Sequence, residues 1–200
     1  MLEAVRRQIT GLTNDQVEEL VLEGLHCIEL SASDRALLES FPNLQFLSIN
    51  NCGLRSLNNF PHLPKLIKLE LNDNSLSGGL DKLLSLRDLM QVSLSGNQLK
   101  TIQDITPLLQ LPDLVVVDLV RCPVASLPQY RETLFGRLPR LEILDGTNKS
   151  GDPASLSEDD LEDELDQESG DEELDDISED DLSEGDNSAE EDQPCKRPKP

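Results

Sequence analysis

The residues of this chain that could do chemistry are four thiols, two imidazoles, serines beside glycines, and forty carboxylates. Cys27, Cys52, Cys122 and Cys195 are widely spaced, with no C-x-x-C pair. That spacing fits neither a zinc site nor a disulfide framework, and it predicts a reducing compartment. His26 and His62 stand far apart, and no serine carries a G-x-S-x-G frame. Ser77-Gly78-Gly79 and Ser95-Gly96 lack the spacing of a phosphate-binding loop and read as turns. General acid–base chemistry needs two carboxylates at a fixed separation. Most carboxylates here crowd into a C-terminal run that offers no frame to hold them. No D-x-[DN]-x-[DN]-G loop occurs, so ordered calcium chelation is not expected. The sequence therefore predicts no enzyme, no cofactor and no metal site.

The charge is divided unevenly. Residues 1–150 hold 14 basic and 18 acidic residues, a difference of −4, and residues 151–200 hold 3 and 22, a difference of −19, which together give −23. A nucleic-acid binder needs a basic footprint, and an anionic membrane surface would repel this chain. The N-terminal MLEAVRRQITGL has no apolar core of an export signal. No run approaches the roughly 18 apolar residues of a membrane span. The expectation is one folded domain of about 150 residues followed by a tail that cannot bury a core.

From Glu158 to Asp192, 21 of 35 residues are acidic and none is basic. Extended, that is one charge per roughly 6 Å, inside the screening length of about 8 Å, so the run should be expanded and disordered when free. Its natural partner is a polycation. Glu158, Asp159, Asp160, Asp171, Glu172, Glu173, Asp175 and Asp176 are the candidate capture residues. Leu161 and Leu165 are four apart, and Leu174 and Ile177 three apart, so each pair would share a helical face and could dock after charge has brought a partner in. A purely solubilising tail has no use for them. Ser157, Ser169, Ser178, Ser183 and Ser188 each have an acidic residue at +3, the pattern read by acidophilic kinases of the casein-kinase type. Serine is equally a common residue of disordered segments, and both readings stand. Lys196, Arg197 and Lys199 reverse the sign at the end and are candidates for nuclear import.

The elements that would position these groups are set by leucine, which fills 34 of the first 150 positions. The template L-x-x-L-x-L-x-x-N/C-x-L fits LQFLSINNCGL from Leu44, LIKLELNDNSL from Leu66, LMQVSLSGNQL from Leu89 and LVVVDLVRCPV from Leu114, starts separated by 22, 23 and 25 residues. VEELVLEGLHC from Val17 is a weaker copy, with Leu25 where asparagine is expected. The x-L-x-L-x core predicts a short strand whose leucines face one way and whose x residues face the other. Asn74 and Asn97 should bond turn backbone, and Cys52 and Cys122, in the same slot, read as structural. Stacked copies share a continuous core and need caps. Residues 1–16 are the expected N-terminal helical cap, with Leu2, Val5 and Ile9 on one face and a capping box at Thr13 and Gln16. The repeats fill 17–129. YRETLFGRLPRLEILDG closes the array within a cap at 130–148, through Tyr130, Leu134, Leu138, Leu141 and Leu144, and the tail takes 149–200. The fold class is an α/β repeat solenoid: a short parallel β-sheet on the concave face, helices or 3-10 turns on the convex face.

The outward x positions form that concave face: Glu19, Val21 and Glu23; Phe46, Ser48 and Asn50; Lys68, Glu70 and Asn72; Gln91, Ser93 and Ser95; Val116, Asp118 and Val120. Curved repeat surfaces bind extended protein segments. Phe46, Val116 and Val120 are candidate anchors among Ser48, Asn50, Lys68, Glu70 and Asp118. The same residues are also ordinary strand formers on a solvated sheet.

Three blocks, LIKLELNDNSLSGGL, LSGNQLKTI and YRETLFGRLPRLEILDG, together with the acidic tail, resemble the acidic leucine-rich nuclear phosphoprotein 32 family. The cap alone is also similar to that of the spliceosomal U2 A-prime protein. The resemblance implies a nuclear leucine-rich-repeat protein, with shuttling to the cytoplasm left open. It implies histone and chromatin binding, in which the tail masks basic histone surface in a chaperone-like way and so influences transcription. It also implies inhibition of a serine/threonine phosphatase, which the solenoid would carry. A U2 A-prime-like spliceosomal scaffold is the third reading. A monomer is expected, with no direct nucleic-acid or membrane contact.

Overall fold

The computed structural model describes residues 1–154. The expectations placed on the acidic run, its serines and its basic end lie outside the described residues. The helices and strands among the described residues are α1 (Leu2–Gln8), β1 (Glu19–Val21), α2 (Ala32–Leu38), β2 (Phe46–Ser48), β3 (Lys68–Glu70), β4 (Gln91–Ser93), α3 (Ile102–Ile105), β5 (Val116–Asp118), α4 (Tyr130–Arg137) and β6 (Ile143–Leu144). The six strands form one parallel sheet in chain order. Short 3-10 turns at Leu80–Ser85, Thr106–Gln110 and Pro123–Ser126 share the return paths with the helices.

The template explains the register. Leu20, Leu47, Leu69, Val92, Val117 and Leu144 pair in series across the sheet. All are 0–1% exposed. Each buried aliphatic side chain contributes about 1.5–3 kcal/mol, so slipping one strand by a residue would turn that rung outward.

Asparagine fixes the turn after the strand. Asn74 Oδ1 accepts from the Cys52 and Leu54 N–H groups at 3.1 and 3.0 Å. Its amide donates to the carbonyls of Ile49 and Leu71 at 2.8 and 3.0 Å. Asn97 repeats the arrangement one repeat on, accepting from Leu76 N–H at 3.0 Å and donating to Leu71 and Leu94 carbonyls at 2.9 and 2.7 Å. The slot cysteines imitate it: Cys52 Sγ donates to the Leu22 carbonyl at 3.0 Å, and Cys122 Sγ to that of Leu94 at 3.2 Å. Burial pushes both thiols up from their ordinary pKa, so they stay protonated and act as small hydrogen-bonding hydrophobes.

One regularity was not in the template. The third residue after β1 to β5, namely Gly24, Asn51, Asp73, Gly96 and Arg121, has φ of 66°, 52°, 53°, 70° and 62°. Every repeat leaves its strand through a left-handed residue. At Gly96 the demand is doubled, because a Cβ there would lie 2.4 Å from Asp73 Oδ1.

The ends differ from expectation in detail. The N-terminal helix stops at Gln8, and the Thr13–Gln16 box opens a separate 3-10 turn at Asn14–Gln16, with Thr13 N–H on Gln16 Oε1 at 3.0 Å. Gly11, at φ 87°, breaks the helical run between them. Val5 is fully buried, but Leu2, on the open first turn, is 46% exposed. The Gln8 amide pairs with both the N–H and the carbonyl of Val21, taking the place of a further strand at the free edge of β1. At the other end Tyr130, Leu134, Leu138, Leu141 and Leu144 are all buried. Residues 149–154, counted with the tail on sequence, instead turn back: Thr147 bridges Pro153, and Ala154 N–H reaches the Gly146 carbonyl at 3.0 Å.

Candidate partner-binding face

Strand register arranges the outward residues in rows across the sheet. One row runs Glu19, Phe46, Lys68, Gln91, Val116, Ile143, and the next runs Val21, Ser48, Glu70, Ser93, Asp118. Between β3 and β6 the face sinks into an open cleft of about 290 Å³, with Glu70, Ser93, Val116, Asp118 and Ile143 among its walls and Gly146 and Ala154 at its lip. The structure thus brings Lys68, Glu70, Val116 and Asp118 together at this cleft. Ser93 and Ile143 complete it. Ser93 belonged to the outward set without being marked as a contact. Ile143 was missed because it lies in the cap, past the last recognisable template, where the leucine spacing carries no strand signal.

The remaining expected residues divide. Lys68 Nζ sits over the Phe46 ring, 4.9 Å from its centroid, and 3.7 Å from Glu70 Oε1. Asn50 braces the face, donating to Glu70 Oε2 at 2.9 Å and accepting from Asn72 N–H at 2.7 Å. Val120 is 41% exposed, beyond the strand end. Ser48 departs from expectation. It lies in the outward row but is 1% exposed, and its hydroxyl has no hydrogen-bond partner. Buried to this degree, it cannot present itself to a partner.

Polar bonds hold the cleft floor. Ser93 Oγ lies 2.7 Å from Asn72 Oδ1 and 3.0 Å from Asp118 Oδ2, and Asp118 Oδ1 accepts the Val120 N–H at 2.9 Å. Beside it Asp145 accepts the Leu119 N–H at 2.8 Å and the Tyr130 hydroxyl at 3.3 Å. Burial pushes the pKa of Asp145 up, with the charge of Asp118 adding to the rise; burial and the Asp145 charge push Tyr130 far up. Tyr130 is 2% exposed and packs the cap. Among the described residues no His/Cys/Asp/Glu group is placed to hold a metal, and no helix is long and apolar enough to cross a membrane. The face offers shape, hydrogen bonds and charge, the means of recognition.

A leucine-rich-repeat family model matches residues 18–150. The chain belongs to the leucine-rich-repeat family. A chain of the Drosophila melanogaster SNF/U2A' complex is similar to it at 29% identity, over 74% of this chain and 79% of that one, with a TM-score of 0.54. The leucine-rich-repeat domain of Mex67 from Chaetomium thermophilum matches at 23% identity over 50% of this chain and 64% of that one, TM-score 0.40. A leucine-rich-repeat protein of Leptospira interrogans matches at 24% over 62% and 36%, TM-score 0.45. Within the leucine-rich-repeat frame, leucine, asparagine and the left-handed turn residues are committed to folding, and most of the outward rows are not.

Proposed function

We propose that this protein is a nuclear, non-catalytic adaptor of the acidic leucine-rich nuclear phosphoprotein type. Its concave sheet holds a partner protein, and its acidic C-terminal run masks basic histone surface in a chaperone-like way. The observation that carries the first half is the cleft over β3–β6, lined by the carboxylates of Glu70 and Asp118 and by Val116, with the buried Ile143 beneath them. The second half rests on composition: 21 acidic residues in 35, beginning four residues after Ala154 in the sequence. Counterion release would make the histone step strongly salt-dependent.

A second reading, a U2A'-like spliceosomal scaffold, is favoured by the similarity to the SNF/U2A' complex over most of both chains. Affinity capture from nuclear extract separates them. The bait is the full chain, the chain without residues 155–200, and the full chain carrying Phe46→Ala with Val116→Ala. Histones lost with the truncation support the chaperone-like reading. Splicing proteins or phosphatase subunits kept by the truncation but lost with the double substitution shift the function to the sheet. Captured proteins indifferent to both changes would refute the adaptor.

A further inference from the structure

Glu70, Ser93 and Asp118 hold matching register positions on β3, β4 and β5. Neighbouring strands lie about 4.8 Å apart, so the two carboxylates stand about 10 Å from each other with a serine between them. Both are oriented from within the sheet by neutral donors: the Asn50 amide on Glu70, and the Ser93 hydroxyl and Val120 N–H on Asp118. Lys68 is 3.7 Å from Glu70, with its ammonium already over the Phe46 ring. Among the described residues no lysine or arginine pairs with Asp118. The Ser93 hydroxyl has one proton and two acceptors, and Asn72 Oδ1 is the nearer at 2.7 Å. When that proton goes to Asn72, Asp118 Oδ2 lacks a donor. A carboxylate has about four acceptor sites, so both groups retain capacity toward the cleft.

The occupant is set by these groups. A shared metal ion is excluded, because oxygen ligands must lie about 2.3–2.6 Å from calcium. An anion would be repelled. Resting on the reading of the concave face as the partner site, we infer that the cleft takes a protein segment presenting two cationic side chains about 10 Å apart, one on Glu70 and one on Asp118, with an aliphatic side chain against Val116 and Ile143. Arginine suits it best, since its planar fork can bond a carboxylate in bidentate fashion.

The test is a residue-resolved NMR titration of the full 15N-labelled chain with the acetylated, amidated peptide proline-arginine-valine-proline-arginine-proline. In polyproline II its arginines share a face about 9 Å apart. The control replaces both arginines with citrulline, which keeps shape and removes charge. We expect saturable shifts at the Ser93, Asp118 and Val120 amides, absent with the control. Glu70→Gln and Asp118→Asn should each weaken the peptide by about tenfold, the loss expected for a charge-assisted contact. Unchanged spectra away from the cleft will show that the variants fold, and shifts in the acidic run are read separately. Silence at these three amides while the acidic run saturates, or equal titration of the variants and the natural chain, overturns the inference. If that happens while Phe46→Ala with Val116→Ala still abolishes nuclear capture, the cation spacing falls and the adaptor survives.

Discussion

Replacing Asn74 by alanine should cost more than any surface change in the molecule, and the structure says how much. The side chain is 5% exposed and ties its own turn to the preceding repeat. Two of its acceptors have other donors, the Leu71 carbonyl from the Asn97 amide and the Asn72 carbonyl from the Asn51 N–H. Three groups lose the bond it supplied: the N–H groups of Cys52 and Leu54 and the carbonyl of Ile49. A buried polar group left unpaired costs about 1–3 kcal/mol, so with partial entry of water Asn74→Ala should cost about 3–5 kcal/mol. Asn74→Cys should fall between the two. Cys52, in the equivalent slot, reaches the Leu22 carbonyl and accepts from the Leu25 N–H at 3.3 Å. A cysteine at 74 therefore keeps the Ile49 carbonyl satisfied and one N–H weakly so, at a cost of about 1–3 kcal/mol. Urea unfolding of the full chain followed by circular dichroism measures both, through the midpoint at unchanged slope. A loss below about 1 kcal/mol for alanine, or an equal loss for cysteine and alanine, would sink the claim that this slot is held by hydrogen bonding rather than by volume.

Gly96→Ala should destabilise by about 1–2 kcal/mol and Gly53→Ala by about 1, because both have positive φ but a Cβ meets Asp73 only at Gly96, where it would also disturb the Asp73–Arg121 pair; equal melting shifts would contradict the clash. Burial raises the Asp145 pKa in the fold, so its contribution is fully present below the unfolded pKa and is lost as pH rises through the folded one. Asp145→Asn keeps the acceptor without the charge, and its stability relative to the natural chain should therefore improve between pH 3 and 7 in urea titrations. Glu39 has the opposite sign: the His62 N–H at 2.9 Å and Arg35 at 2.8 Å hold its carboxyl below the ordinary range. The advantage of the natural chain over Glu39→Gln should accordingly shrink as pH falls through the folded value of Glu39. In the acidic run, neutralising Asp171, Glu172, Glu173, Asp175 and Asp176 should slow histone association, whereas Leu161→Ala with Leu165→Ala should speed dissociation; stopped-flow traces with neither effect would end the two-step picture.

Why some of this was legible in the sequence is a matter of where the physics is local. A strand of period two with a buried leucine rung is implied by L-x-x-L-x-L alone, because one misplaced residue would expose the rung. Asn74 and Asn97 were legible for a related reason: an amide in an apolar slot must be bonded, and the nearest unpaired backbone is the turn. The left-handed position was not, because Gly24, Asn51, Asp73, Gly96 and Arg121 share a backbone geometry without sharing a residue type. Glycine and asparagine could have signalled it, but Arg121 tolerates the strain with no mark in the sequence. The early end of α1 was signalled by Gly11, yet the apolar spacing of Leu2, Val5 and Ile9 carried the longer reading. Ile143 was hidden because β6 has two residues, too few for any alternation to declare itself.

The proposed recognition face follows from the same physics. Positions that hold the arc together are occupied by burial, backbone bonding or turn geometry, so they say little about a partner. The outward rows are free to vary, and there the local environment decides whether a residue can act. Ser48 and Ser93 are the same residue type in the same row, two strands apart. One is covered and unpartnered, while the other lies in the cleft, its single proton contested by Asn72 and Asp118. Nothing in the alternation distinguishes them; their place along the sheet does, Ser48 between Val21 and Glu70 and Ser93 between Glu70 and Asp118. A partner selected by this face is therefore selected by the pairing of rows across strands, a property of register that single repeats do not possess. Moving an acidic residue from Asp118 to position 93, by Asp118→Ser with Ser93→Asp, keeps composition and net charge but brings the carboxylate next to Glu70, about 5 Å away instead of about 10. A partner that reads charge alone would bind this swapped chain as before, and one that reads spacing would not.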